Sequence, residues 1–140
     1  MALVGILLFI VFLFLSGIHI YWGFGGRWGR DTAVPSNEKN EIVLKPKAID
    51  CFIVGLALLG FGLFVLVKVE LLNMLLPLWM TDYLLWIISL IFVLRATGDF
   101  KYVGFFKKIK NTDFGVLDTK YFSPLCLLIG ILGVIIELFY

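Results

Sequence analysis

The chain has 140 residues, of which 61% are hydrophobic and 16% charged, with a mean hydropathy of +1.04 and a formal net charge of +2. A soluble domain is about 45–50% apolar and about 25% charged, so the composition excludes a soluble globular domain. Lipid must be the solvent for much of this surface, and no nucleic-acid partner is expected.

A bilayer core of about 30 Å takes about 20 mostly apolar residues in a helix, and four such spans can be read. The first, residues 2–22, carries no formal charge; no Lys or Arg precedes Arg27, and "LFLSGIHIYW" offers no Ala-x-Ala cleavage site, so it reads as a retained span and not a signal peptide. The second covers residues 48–67, bounded by Asp50 and Lys68. Residues 69–77 are too few to cross alone and end at Pro77, which marks a break. The third covers residues 78–95, with Asp82 near its start and Arg95 at its end, and the fourth covers residues 124–140, with Glu137 near its end. The expected fold is an all-α integral membrane protein, an antiparallel bundle of four transmembrane helices in one membrane domain.

Charge gives the orientation. The loop of residues 23–47 holds Arg27, Arg30, Lys39, Lys45 and Lys47; the loop of residues 96–123, with Arg95 at its edge, holds Lys101, Lys107, Lys108, Lys110 and Lys120. Lys68 alone lies on the other side, an 11 to 1 split. Both basic loops are therefore expected in the cytoplasm and both termini outside.

Stripes of small or polar residues mark the faces that should meet, because close backbone approach drives helix association in lipid. They are Ser16, His19, Gly23 and Gly26 in the first span; Ala48, Cys51, Gly55 and Gly62 in the second; Asp82, Trp86, Ser89 and Ala96 in the third; and Ser123, Cys126, Gly130, Gly133 and Glu137 in the fourth. Cys51 and Cys126 read as packed small residues. Two cysteines and one histidine, not clustered, do not make a zinc site, and neither metal nor cofactor is expected.

Two stretches stand out. "HIYWGFGGRWG", residues 19–29, holds the only histidine where the first span stops. An ionisable group in a span is a candidate functional residue; the plainer reading is a neutral imidazole that bonds a neighbouring helix. Tyr21, Trp22 and Trp28 fit interfacial belt aromatics, and the glycines permit a tight turn with exposed amides, a weak anion nest. In the second stretch, "RATGDFKYVGFFKKIKNTDFGVLDTKYFSPL", Arg95 and Asp99 have the spacing of a helical ion pair. "FKYVGFFKKIK" interleaves aromatics with lysines, as a segment lying on an anionic leaflet does; an ordinary loop whose charges only set topology reads equally well. "DTKYFSP" reads as the start of the fourth helix, with Pro124 in its first turn.

These two stretches together resemble an uncharacterised family of small four-span bacterial membrane proteins, domain of unknown function 3995. His19, Tyr21, Trp22, Gly26 and Trp28 match its first pattern, and Arg95, Gly98, Asp99, Gly104, Phe105, Asp118, Tyr121, Ser123 and Pro124 match the second. The resemblance implies a bacterial inner-membrane location and a four-helix architecture, and supplies no activity or catalytic residue.

The leading functional reading is a non-enzymatic protein that binds an anionic lipid headgroup, or a membrane-protein partner or second copy, at its cytoplasmic end. Its candidate ligand-binding residues are His19, Tyr21, Trp22, Gly26, Trp28, Arg95, Asp99, Lys107 and Lys108. The alternatives are an intramembrane enzyme on a lipid-linked substrate, with His19 as acid or base and Arg95 as anion clamp, and a small transporter or channel subunit.

Overall fold

The computed structural model describes residues 1–140. It is all-helical, with four helices long and apolar enough to cross a membrane. They are α1 (Ala2–Gly23), α2 (Ala48–Lys68), α3 (Leu78–Thr97), and a composite fourth made of α4 (Asp113–Leu117), a π-helical turn (Asp118–Phe122) and α5 (Ser123–Phe139). At most a third (33%) of the residues in any span is buried inside the protein. Many of the remaining Leu, Ile, Val and Phe side chains are exposed, among them Leu3, Ile10, Phe14, Leu56 and Leu90, as a lipid-solvated surface requires.

The chain folds as two antiparallel hairpins, α1 against α2 and α3 against α5. Each is built on a face of small residues. In the first, a Cβ on Gly55 would stand 2.8 Å from Ile20 Cγ1, and Ser16 Oγ donates to the Gly55 carbonyl at 2.6 Å. In the second, a Cβ on Gly130 would stand 2.6 Å from Val93 Cγ2, and one on Gly133 would collide with Ser89 Oγ. The expected stripes thus lie inward at Ser16, Cys51, Gly55, Gly62, Ser89, Ala96, Ser123, Gly130 and Gly133. The third span departs from its expected stripe. The packed face of α3 runs through Leu85, Ser89, Phe92 and Ala96, which turns Trp86 outward and leaves Asp82 exposed.

Phe12 joins the hairpins. It is fully buried and meets Phe61 and Phe92 edge to face, with ring centroids 6.1 and 5.5 Å apart. Such aromatic pairs contribute about 0.5–1.5 kcal/mol beyond area burial. The loops of residues 24–47 and 98–112 lie at one end of the bundle (the loop end). Both termini and the connection of residues 69–77 lie at the other (the terminal end).

Pro124 does fall in the first turn of α5, but the fourth span starts earlier than that: helical backbone begins at Asp113. Thr112 caps it, its Oγ1 accepting from the Gly115 amide at 2.9 Å. Pro124 has no N–H to continue an α-helical ladder and its ring crowds the preceding turn. The π turn just before it, in which the Ser123 amide donates to the Asp118 carbonyl, widens the backbone where the proline sits. One continuous helical stretch of 27 residues, Asp113–Phe139, results.

Candidate functional site

The π turn places Asp118 at the centre of the loop end, where its side chain is 0% exposed. Gly98 ends α3 with φ +83°, and the chain doubles back so that Gly98 and Gly104, at φ +89°, pack backbone to backbone. Any side chain at either would meet main-chain atoms. This reversal, with the Phe105 amide donating to the Ala96 carbonyl at 2.8 Å, carries Lys107 inward.

Asp118 is then shared by two cations. Its Oδ1 accepts from Arg95 Nη2 at 3.0 Å; its Oδ2 accepts from the Gly104 amide at 2.8 Å and from Lys107 Nζ at 3.2 Å. Lys107 also donates to the Gly104 carbonyl at 2.9 Å and to Thr119 Oγ1. A lysine buried this deeply is tolerated only because all three of its N–H groups have acceptors and a carboxylate lies beside it. Arg95 differs. Its side chain is 34% exposed, and its Nη1, buried within the protein, has no partner in the chain. Ser123 Oγ, at the start of α5, is likewise buried and unpartnered. The cluster of two cations on one carboxylate carries a net single positive charge.

Two expectations about this loop change. Arg95 and Asp99 do not pair: the helix stops at Thr97, so the four-residue spacing never becomes one helical face. Asp99 Oδ1 instead accepts from the amides of Lys101, Tyr102 and Val103 at 2.8–3.0 Å and holds the turn. Partial burial pushes its carboxyl up, but the bonds from Lys101, Val103 and Tyr102 outweigh this and hold it below the usual range. Lys107 is not a surface amine, because every donor it has is used internally. Lys101, Lys108 and Lys110 do lie exposed, with Phe100 and Phe106 exposed beside them.

The first stretch forms a separate structure on α1. His19 is half-buried, its Nδ1 2.7 Å from the Leu15 carbonyl one turn back and its ring edge-on to Trp22 at 5.1 Å. The imidazole thus bonds its own helix, not a neighbouring one. The amides of Gly25 and Gly26 donate to the carbonyls of Trp22 and Tyr21, each at 3.0 Å, so these two are closed to an anion. Gly26 is required because the Tyr21 ring lies where its Cβ would be. Trp22 Nε1 donates to the Trp28 carbonyl at 2.8 Å, folding the turn back on the helix, and Trp28 itself is exposed. No hydrogen bond links these residues to Arg95 or Asp118; the two loops meet where the Asp113 amide donates to Asn40 Oδ1 at 3.1 Å.

A second buried ion pair closes the terminal end. Lys68 Nζ donates to Glu137 Oε1 at 2.8 Å and to the Thr81 carbonyl at 2.6 Å, tying together α2, α5 and α3. The sequence stripe places Glu137 inward but gives no partner for it.

Fold and site together define a multi-pass membrane protein whose loop end is locked by a buried charge cluster. The chain belongs to the family described as protein of unknown function (DUF3995), whose model matches residues 12–133. No curated protein and no solved structure matches it.

Proposed function

We propose that this is a small protein of the bacterial cytoplasmic membrane, with its loop end in the cytoplasm, that binds the phosphate of an anionic lipid headgroup through Arg95. One observation carries the reading: Asp118 takes only a single bond from the guanidinium, from Nη2, and the Arg95 side chain stays 34% exposed beside the cluster, so the guanidinium is in part open to an outside anion. A donor of this kind next to a net positive cluster favours an anion, and a charge-assisted bond to phosphate is about twice as strong as a neutral one. Arg95 lies in the last turn of an apolar helix, the position a headgroup contact requires. Exposed Lys101, Lys108 and Lys110 add a diffuse attraction of about 1 kcal/mol each near an anionic leaflet, and Phe100 and Phe106 supply apolar contact beside them. The bond from Nη2 to Asp118 tethers the guanidinium at one end, which is what separates a specific contact from that diffuse attraction.

The alternative in which His19 acts as acid or base beside Arg95 gains no geometric support, since the imidazole bonds Leu15 and the two residues share no hydrogen-bonded path. The reading is tested by native mass spectrometry of the protein extracted with its lipids. Arg95→Lys keeps the charge and a donor for Asp118 but loses the planar guanidinium fork, so it should retain one phosphatidylglycerol fewer than wild type. Lys108→Gln with Lys110→Gln should lower retention more modestly and make it less sensitive to salt. Wild-type retention in both would sink the proposal. Orientation is tested separately, with single cysteines at Glu38, Asn111 and Tyr140 in a chain lacking Cys51 and Cys126; all three positions are exposed. An impermeant thiol reagent should label only the cysteine at 140 in intact cells.

A further inference from the structure

The face of α1 opposite its contact with α2 carries an open groove. Ser16, Ile20 and Gly23 turn toward α2, as their contacts with Gly55 and Phe52 show. Leu13, Phe14, Gly17, Ile18 and Tyr21 line the other side. All five follow the helix at its own periodicity, and a helix face alone is convex. The concavity comes from two local features. Gly17 leaves the floor bare, since a Cβ there would meet nothing within 4 Å. Trp28, held by the bond from Trp22 Nε1 to its carbonyl, returns from the turn to form the end wall. The space amounts to about 440 Å³.

Chemistry chooses the occupant. The walls are almost wholly apolar, on a helix composed to cross a membrane. The groove ends at Tyr21 and Trp28, rings of the kind that sit at headgroup level. Arg27, next to Trp28, is exposed and makes no ion pair, whereas Asp31 lies exposed further along the loop. An open apolar groove with an exposed, unpaired arginine next in sequence to its Trp28 end wall matches a single acyl chain continuous with an anionic phosphate. It does not match a soluble ligand, which would find no polar partner along the walls.

We propose that this groove is a lipid site distinct from Arg95: one acyl chain of an anionic phospholipid lies along Leu13, Phe14 and Gly17 beneath Trp28, with its phosphate on Arg27. The site stands or falls independently of the Arg95 reading, because no residue is common to the two.

Gly17 offers a clean perturbation. Gly17→Phe, or the smaller Gly17→Leu, fills the floor while disturbing no packed neighbour. Gly60→Phe on α2 is the matched control, since a Cβ at Gly60 also meets nothing within 4 Å. Purified protein is titrated with phosphatidylglycerol and with phosphatidylethanolamine, and the lipids retained are counted by native mass spectrometry. Both Gly17 variants should retain one phosphatidylglycerol fewer than wild type, and Gly60→Phe the wild-type number. Arg27→Gln should keep a lipid in the groove but lose the preference for phosphatidylglycerol over phosphatidylethanolamine. Arg95→Lys should leave this lipid in place, so loss there and retention here identify the two sites separately. Equal counts for Gly17→Phe and Gly60→Phe overturn the proposal. So does a Gly17→Phe variant that turns a dimer into a monomer with no loss of lipid, which would assign the groove to a second copy of the chain.

Discussion

Asp118→Leu strands a buried cation, and the size of the effect follows from the geometry. Lys107 and Asp118 are both 0% exposed at their side chains, 3.2 Å apart. Removing one partner of a buried pair costs about 3–5 kcal/mol, because the other charge stays desolvated. The Gly104 amide, 2.8 Å from Asp118 Oδ2, loses its acceptor as well. The chain relieves this strain by opening the loop between α3 and α4, so the assay is hydrogen exchange of the Gly104 and Phe105 amides in detergent micelles. At about 1.4 kcal/mol for each factor of ten, exchange should accelerate between about a hundredfold and a few thousandfold. Adding Lys107→Met removes the fully buried charge and leaves a residue of similar length, while Arg95, 34% exposed, is the less desolvated of the two cations that Asp118 held; replacing a buried pair by apolar groups is often neutral or stabilising. The double variant should therefore recover most of the lost protection. If Asp118→Leu leaves exchange unchanged, or if Lys107→Met on top of it worsens protection, the two side chains are not coupled and the cluster does not hold the loop.

Three further outcomes are expected. Gly130→Leu drives a side chain into Val93 and the Ser89 carbonyl, so it should separate α3 from α5 and lower the midpoint of SDS-induced unfolding, whereas Gly60→Leu should leave it unchanged. Asp99, whose folded carboxyl lies below the ordinary range, stabilises the loop at all pH values above its unfolded value of about 3.9; protection of the 101–103 amides should persist at neutral pH and fade only as pH drops through the lower folded value, and Asp99→Ala should abolish that dependence. His19→Leu should change stability by less than about 1 kcal/mol, because its Nδ1 bond goes to a carbonyl of its own helix; a loss of cellular function in all of His19→Leu, His19→Asn and His19→Gln with the fold intact would instead give the imidazole a chemical role.

The four helices and most of their packed faces are legible in the sequence, because apolar length and small residues at three- and four-residue steps leave few alternatives in lipid. The loop end is not. Arg95 and Asp99 stand at a helical spacing, and only the reversal at Gly98 sends Arg95 to Asp118 instead. Thr97–Gly98 is a recognisable helix stop, and it is the one local signal against that pairing. Lys107 sits in a run of lysines and aromatics that reads as surface, and its burial depends on contacts with residues far along the chain. Pro124 reads as the first turn of a helix because the π turn before it has no sequence signature of its own. Asp118, the residue on which the cluster turns, matches the family pattern, yet its chemistry becomes visible only when both cations are placed beside it.

The most direct test of the Arg95 contact is a nitrogen-15 to phosphorus-31 dipolar dephasing measurement on the arginine guanidinium groups of the protein in bilayers containing phosphatidylglycerol. Lipid phosphorus should dephase the Arg95 signal, and Arg95→Lys should remove that component while leaving the rest of the curve in place. A dephasing curve identical in wild type and Arg95→Lys would contradict the headgroup assignment.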